Sequence, residues 1–318
     1  MLIKPFGRKI WFFKYTPPAL KKKGHHQHWT PPRLVPNANA AAIMSPLRDV
    51  TDATDGYLRQ VRAGSKDKER RIMGRFQGKR ILITGGTSGM GFAGALRIVS
   101  EGGNVAITGL NDERLKRARS LLPESSLILK NDAASEADIS VLQAAISDWG
   151  SLDGLWLNAG FAEVGAPESV TADAFNRMMN ANVRGPMLQL AALSGSLNSG
   201  ASVLVTSSSS VYEGAAMTSL YAATKGAVVA MVKSWASALA VRGIRANTLV
   251  PGPIETNFRH FMPEESRQQF EDFVVSQVPL GRAGTAEEAS AVALFLLSDD
   301  ASYVTGSQYA VDGGLVHY

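Results

Sequence analysis

The chain contains no cysteine among its 318 residues. That excludes disulfides and thiolate metal centres, and leaves nothing that requires an oxidising compartment. It also has no apolar run near the roughly 20 residues needed to cross a bilayer; IWFF and LFLL are far too short. No basic start followed by a ~7–15-residue apolar stretch and a small-residue cleavage site marks a secretory signal. Acidic residues are missing before Asp49, yet the same segment is rich in proline and poor in serine, unlike an amphipathic Arg/Ser transit peptide. These absences lead to the expectation of a cytoplasmic protein with no membrane association.

The formal charge of +5 conceals two regions of opposite sign. Residues 1–72 carry 15 Lys/Arg against 5 Asp/Glu, and residues 73–318 carry 18 against 23. A nucleic-acid partner would rest on the first region alone, which lacks stacking residues in any recognisable pattern, so none is expected. Its stretch YTPPALKKKGHHQHWTPPRLVPNANAAA denies both helical and strand periodicity through repeated Pro and Lys. We expect 1–72 to be a disordered basic N-terminal extension. GHHQH has no carboxylate or cysteine partners and reads as solvated rather than as a metal site. Met73 opens MGRFQGKRILITGG, a short polar lead into a buried strand, so 73–318 is expected to be one dinucleotide-binding domain.

From Arg80 onward short apolar runs alternate with helical patterns. The expected strands are 80–84, 104–108, 126–130, 154–157, 202–206, 244–249 and 308–311. Runs apolar on both faces, separated by helices, indicate an α/β fold: a single doubly wound Rossmann domain with a seven-stranded parallel sheet and helices on both faces. A longer insertion stands at 253–284.

TGGTSGMG, residues 84–91, follows the first strand and opens a helix. Glycine permits a tight turn and close approach of backbone N–H groups to a pyrophosphate, while the helix turns its positive end to the anion. An ordinary strand-to-helix turn is the competing reading. The second strand ends AITGLND, where an acid at position 109 would accept adenosine ribose hydroxyls and repel a 2′-phosphate; Gly109 does neither. That absence points to NADP, with NAD possible. The usual arginine for the phosphate is missing too, since Leu110 and Ser88 stand in its places, and Asn111 and Arg114 are the substitutes at hand.

SSSSVYEGAAMTSLYAATK, residues 207–225, suits neither a helix interior nor an apolar strand at its serine end. Tyr221 and Lys225, four apart, share one face if helical. That spacing alone is weak; the order of all the motifs is what carries weight. Residues 73–318 resemble the short-chain dehydrogenase/reductase family, and within it the 3-oxoacyl-acyl-carrier-protein reductases. The likeness runs through the turn Thr84–Gly91, the triplet Asn158-Ala159-Gly160, Asn182, Ser208 with Tyr221 and Lys225, PGPIET (251–256) and VTGSQYAVDGG (304–314).

The resemblance implies an NADP(H)-dependent oxidoreductase that interconverts a ketone and a secondary alcohol, with a small carbonyl or alcohol compound as its substrate. Tyr221 is the implied acid/base. A tyrosine ordinarily titrates near ~10, and the Lys225 cation lowers this by favouring phenolate. Lys225 would also hold the nicotinamide ribose, Ser208 would bond the substrate oxygen, and Asn182 would anchor a water linking Lys225 to solvent. The implied cofactor contacts are Gly85, Thr87, Ser88, Gly89, Met90, Gly91, Leu110, Asn111, Asp132, Ala133, Asn158, Ala159, Gly160, Tyr221, Lys225, Pro251, Gly252, Ile254 and Thr256; no metal is implied. The family also implies a homo-oligomer, a dimer or homotetramer built on helices around 171–193 and 221–241.

More ordinary roles compete for several of these. Ser207, Ser209 and Ser210 serve the turn, Asn158 braces backbone beside the cofactor, and Asp132 is either an adenine contact or a helix cap. Phe258, Phe261 and Met262 of the insertion are candidates to cover an apolar substrate, and Glu163, Tyr212 and Met217 are candidate pocket residues by position alone. His260 is not needed as a base. The alternative function is a non-catalytic dinucleotide-binding regulatory or scaffold protein, which the complete Asn-Ser-Tyr-Lys set opposes.

Overall fold

Branched and aliphatic residues fill the first strand after Arg80, and each is fully buried. In the computed structural model, which describes residues 74–256 and 264–316, this strand is an inner strand of a seven-stranded sheet, next to its middle one. The strands are β1 Arg80–Thr84, β2 Asn104–Gly109, β3 Leu127–Lys130, β4 Leu152–Leu157, β5 Leu197–Thr206, β6 Arg245–Pro251 and β7 Gln308–Val311. Their order is β3-β2-β1-β4-β5-β6-β7, with every pairing parallel. The segment 1–72, Met73, Phe258, His260, Phe261 and Met262 lie outside the described residues.

The helices are α1 Gly89–Ser100, α2 Asp112–Leu121, α3 Glu136–Trp149, α4 Ala172–Met179, α5 Gly185–Leu193, α6 Ser210–Glu213, α7 Ser219–Leu239, α8 Glu264–Ser276 and α9 Ala286–Leu297. Strand alternation divides the core between the two sheet faces. Leu82 packs with Leu142 and Ile146 of α3 and with Val228 and Val232 of α7. Ile81 and Ile83 face the other way, toward Phe92 and Ile98 of α1 and Leu294 and Leu297 of α9. Each such side chain contributes about 1.5–3 kcal/mol on burial.

Polar side chains fix four of the helix starts. Asn111, Ser135 and Thr171 each accept a backbone N–H of the first turn of α2, α3 and α4, and Thr285 with Glu288 forms a reciprocal capping box on α9. At α1 the N-cap Ser88 makes no such bond and the first turn holds no acid. The chain builds outward from β1 through β2 to β3, then crosses back to β4. In open α/β sheets ligands bind where this reversal opens a crevice at the strands' carboxyl ends. The main departure from the sequence expectation is β5, which begins at Leu197; Leu197 pairs with Leu152 before the register shifts to Ser202 opposite Gly154. Exposed Ser199 and Gly200 interrupt the apolar pattern there.

Candidate active site

The carboxyl ends of β1, β4, β5 and β6 deliver their following loops to one cavity of ≈ 410 Å³. Of the residues expected there, Gly85, Ser88, Gly89 and Met90 line it after β1, and Asn158, Ala159 and Gly160 after β4. Ser208, Tyr221 and Lys225 complete a second wall, and Pro251, Gly252, Ile254 and Thr256 a third.

The first loop leaves no room for a side chain at Gly85 or Gly91. A Cβ on Gly85 would stand 2.9 Å from the Ala159 Cα, and one on Gly91 2.8 Å from the Asn158 Nδ2 and 2.7 Å from the Gly85 carbonyl oxygen. Gly89 sits at φ +53, in the left-handed region that favours glycine. With no side-chain cap and no acid in the first turn, the start of α1 keeps its positive end for an external anion. The donor set fits the pyrophosphate of a dinucleotide.

Around the end of β2 the structure sorts the expected contacts. Arg114 lines the cavity, and its Nη1 donates to the Ser88 Oγ at 3.3 Å. Asn111 is occupied as the α2 cap, its Oδ1 accepting from the Arg114 N–H at 2.9 Å. Leu110 is 58% exposed and does not reach the lining. Thr87 does not line the cavity either; it is buried against Gly109, where a Cβ would meet the Thr87 Oγ1 at 2.3 Å. Asp132 turns on itself, its Oδ1 accepting from the Ala134 N–H, and the Ala133 carbonyl packs against Gly185. Neither belongs to the lining.

Tyr221 and Lys225 are one turn apart on α7, and the Lys225 Nζ lies over the Tyr221 ring, 5.7 Å from its centroid. Lys225 is buried, and that burial pushes its ammonium down to about 8. Its Nζ donates to the Thr206 carbonyl at 2.9 Å, and its own main-chain carbonyl accepts from the Ser207 Oγ at 2.9 Å. The serine run therefore ties the end of β5 to α7. Within it, the Ser208 Oγ accepts from the Ser210 N–H at 3.2 Å.

Asn182 lies in a π-helical turn, Asn180–Arg184, between α4 and α5. Its Oδ1 accepts from the Phe161 N–H, and its Nδ2 donates to the Phe161 carbonyl and the Thr224 Oγ1. Both amide hydrogens are used, so the side chain braces the segment after Gly160 and lies behind the cavity wall. A Cβ on Gly160 would meet the Asn182 Oδ1 at 2.8 Å and the Lys225 Nζ at 3.3 Å.

Three substrate-side candidates are corrected. Glu163 forms a two-pronged ion pair with Arg177, Tyr212 donates to the Gln308 side chain, and the Met217 carbonyl accepts from the Gly165 N–H; none lines the cavity. The lining instead includes Phe161, Ala162, Val164, Glu213, Thr218 and Val274. Phe161 and Ala162 follow directly after Asn158-Ala159-Gly160 and Val164 stands two further on, and that proximity was the available signal. Val274 comes from α8 and carries no local mark.

Residues 85–316 match a family model described as enoyl-(acyl carrier protein) reductase. Oxidoreductase asL5 of Sarocladium schorii is 36% identical over 249 residues, 76% of this chain and 97% of that protein. The 3-oxoacyl-(acyl-carrier-protein) reductase FabG of Thermotoga maritima is 34% identical over 249 residues, 76% of this chain and 99% of its own. Among solved structures, a blue fluorescent protein from a metagenomic library in complex with NADPH superposes with a TM-score of 0.68 at 30% identity, covering 76% of this chain and 99% of that one.

Proposed function

The chain belongs to the short-chain dehydrogenase/reductase family and is an NAD(P)-dependent enzyme acting on CH–OH or C=O groups, and on that basis we propose that it interconverts a ketone and a secondary alcohol with NADP(H) as the preferred cofactor. The observation that carries this reading is the buried Lys225 ammonium over the Tyr221 ring in the wall that also holds Ser208. A bound nicotinamide dinucleotide supplies the hydride.

Tyr221 gives a proton to the carbonyl oxygen in reduction and removes one from the hydroxyl in oxidation. Lys225 favours the phenolate left behind, because a cation held beside it by the Thr206 carbonyl stabilises the anion. Ser208 orients the reacting oxygen by a hydrogen bond. Asn182 fixes Phe161, and through it the loop that forms the substrate wall. The start of α1 holds the pyrophosphate. Arg114 with Ser88 takes the adenosine 2′-phosphate, the place for which Leu110 is too exposed and Asn111 already engaged. Exposed Phe175 on α4 and Met187 on α5 support subunit pairing through these helices.

The test is a titration with NADPH and NADH followed by a carbonyl panel. Tyr221→Phe should abolish turnover while NADPH still binds; retained turnover removes Tyr221 as the acid/base. Arg114→Ala should weaken NADPH roughly tenfold, the loss of one charge-assisted contact, and leave NADH unchanged. Equal weakening of both removes Arg114 from the phosphate.

A further inference from the structure

Trp156 and Asn158 are two apart, so they point to the same face of the sheet. Trp156 is opposite Leu204 in the β4–β5 register, which brings Thr206, two residues on, beside both. The three side chains form one directed chain. The Trp156 Nε1 donates to the Thr206 Oγ1 at 2.9 Å, the Thr206 Oγ1 donates to the Asn158 Oδ1 at 3.0 Å, and the Asn158 Nδ2 donates to the Gly85 carbonyl at 3.2 Å.

We infer that Thr206 and Trp156 are positioning residues for the dinucleotide, acting through Asn158 on the phosphate loop. This rests on the cofactor reading above. The direction follows from donor chemistry. An indole nitrogen can only donate, and when buried it needs a partner. By taking a lone pair of the Thr206 hydroxyl it sends the hydroxyl's single proton toward Asn158. That proton requires the oxygen end of the Asn158 amide, which leaves the nitrogen end for Gly85. A reversed amide would set two acceptors against each other at the Gly85 carbonyl.

Packing fixes the same two groups against α1. A Cβ on Gly94 would stand 2.6 Å from the Trp156 Cζ3, and the Asn158 Nδ2 fills the space beside Gly91. Trp156 is fully buried and Thr206 nearly so, so water does not replace a lost partner easily. Thr206 also holds Lys225, but through its main-chain carbonyl. A side-chain change at 206 therefore loosens the phosphate loop and leaves the lysine anchor in place.

Thr206→Val keeps the shape and removes the hydroxyl. It should raise the Kd and KM for NADPH about tenfold, as expected for one buried bond and its orphaned partners. The pH dependence of turnover at saturating cofactor should keep its wild-type form, and Thr206→Ser should restore binding. Trp156→Phe gives a second variant with a smaller rise, and placed on Thr206→Val it should add little, since it removes the orphaned indole N–H. Wild-type NADPH binding in Thr206→Val, or a loss that serine does not restore, overturns the inference. Amide exchange across residues 84–91 in the cofactor-free protein reads the network by itself. Faster exchange in Thr206→Val, reversed by serine, supports it, and unchanged exchange overturns it. Wild-type protein that binds neither NADPH nor NADH overturns the cofactor reading instead, whatever the exchange shows.

Discussion

Gly109→Asp is the substitution that electrostatics recommends for turning this enzyme toward NADH, because a carboxylate there would accept ribose hydroxyls and repel a 2′-phosphate. The structure attaches a cost to it. A Cβ at 109 would lie 2.3 Å from the Thr87 Oγ1, 2.7 Å from its Cγ2 and 3.0 Å from its Cβ. Rotating the threonine exchanges one branch for another, and Thr87 is buried. Overpacking of this kind costs about 1–3 kcal/mol. At ~2–4 °C per kcal/mol for a body of this size, Gly109→Asp alone should lower the Tm by roughly 2–12 °C. Thr87→Ala/Gly109→Asp removes the two shortest contacts and should recover most of that loss. It should also show the larger shift of the NADPH/NADH Kd ratio toward NADH. The assay is a thermal melt without dinucleotide for the two single variants and the double, followed by both titrations. Coupling between the substitutions below about 0.5 kcal/mol, the usual limit for independent sites, would refute the argument.

Two further outcomes follow from burial. Because Lys225 loses its proton at about 8, kcat/KM for the dinucleotide, which reports the free enzyme, should fall with unit slope above about pH 8. A flat profile across that pH would refute this. Stability should move the opposite way: the unfolded lysine keeps its proton to about 10.4, so the folded state gains stability as pH rises from about 8 to that value. Lys225→Met should remove this rise in urea titrations at several pH values. Gly94→Ala should cost about 1–3 kcal/mol, since its Cβ would stand 2.6 Å from the Trp156 Cζ3. Trp156→Phe should relieve part of that, read by urea unfolding; equal losses with tryptophan and phenylalanine would refute the contact.

The strands were legible because local composition specifies them. RILIT and QYAV have the expected limits as β1 and β7, and the remaining limits differ by one or two residues except at β5. The candidates Tyr221 and Lys225 came from the order of the motifs along the chain, and their four-residue spacing places them one turn apart on one helix. What stayed hidden depends on contacts between distant segments. Thr87 filling the space at Gly109, Glu163 paired with Arg177 and Tyr212 held by Gln308 all involve partners set by the fold. The Trp156–Thr206 bond spans 50 positions, and nothing in either local stretch announces the other.

Lys225 is held by a main-chain carbonyl, an atom that every amino acid carries. No side-chain replacement at 206 removes that oxygen itself. On the positioning role inferred for the Thr206 hydroxyl, substitutions at 206 should adjust cofactor affinity while the main-chain anchor of Lys225 is inherited unchanged. A search for altered dinucleotide use would do well to begin at this position, two residues ahead of Ser208, before altering the residues that touch substrate.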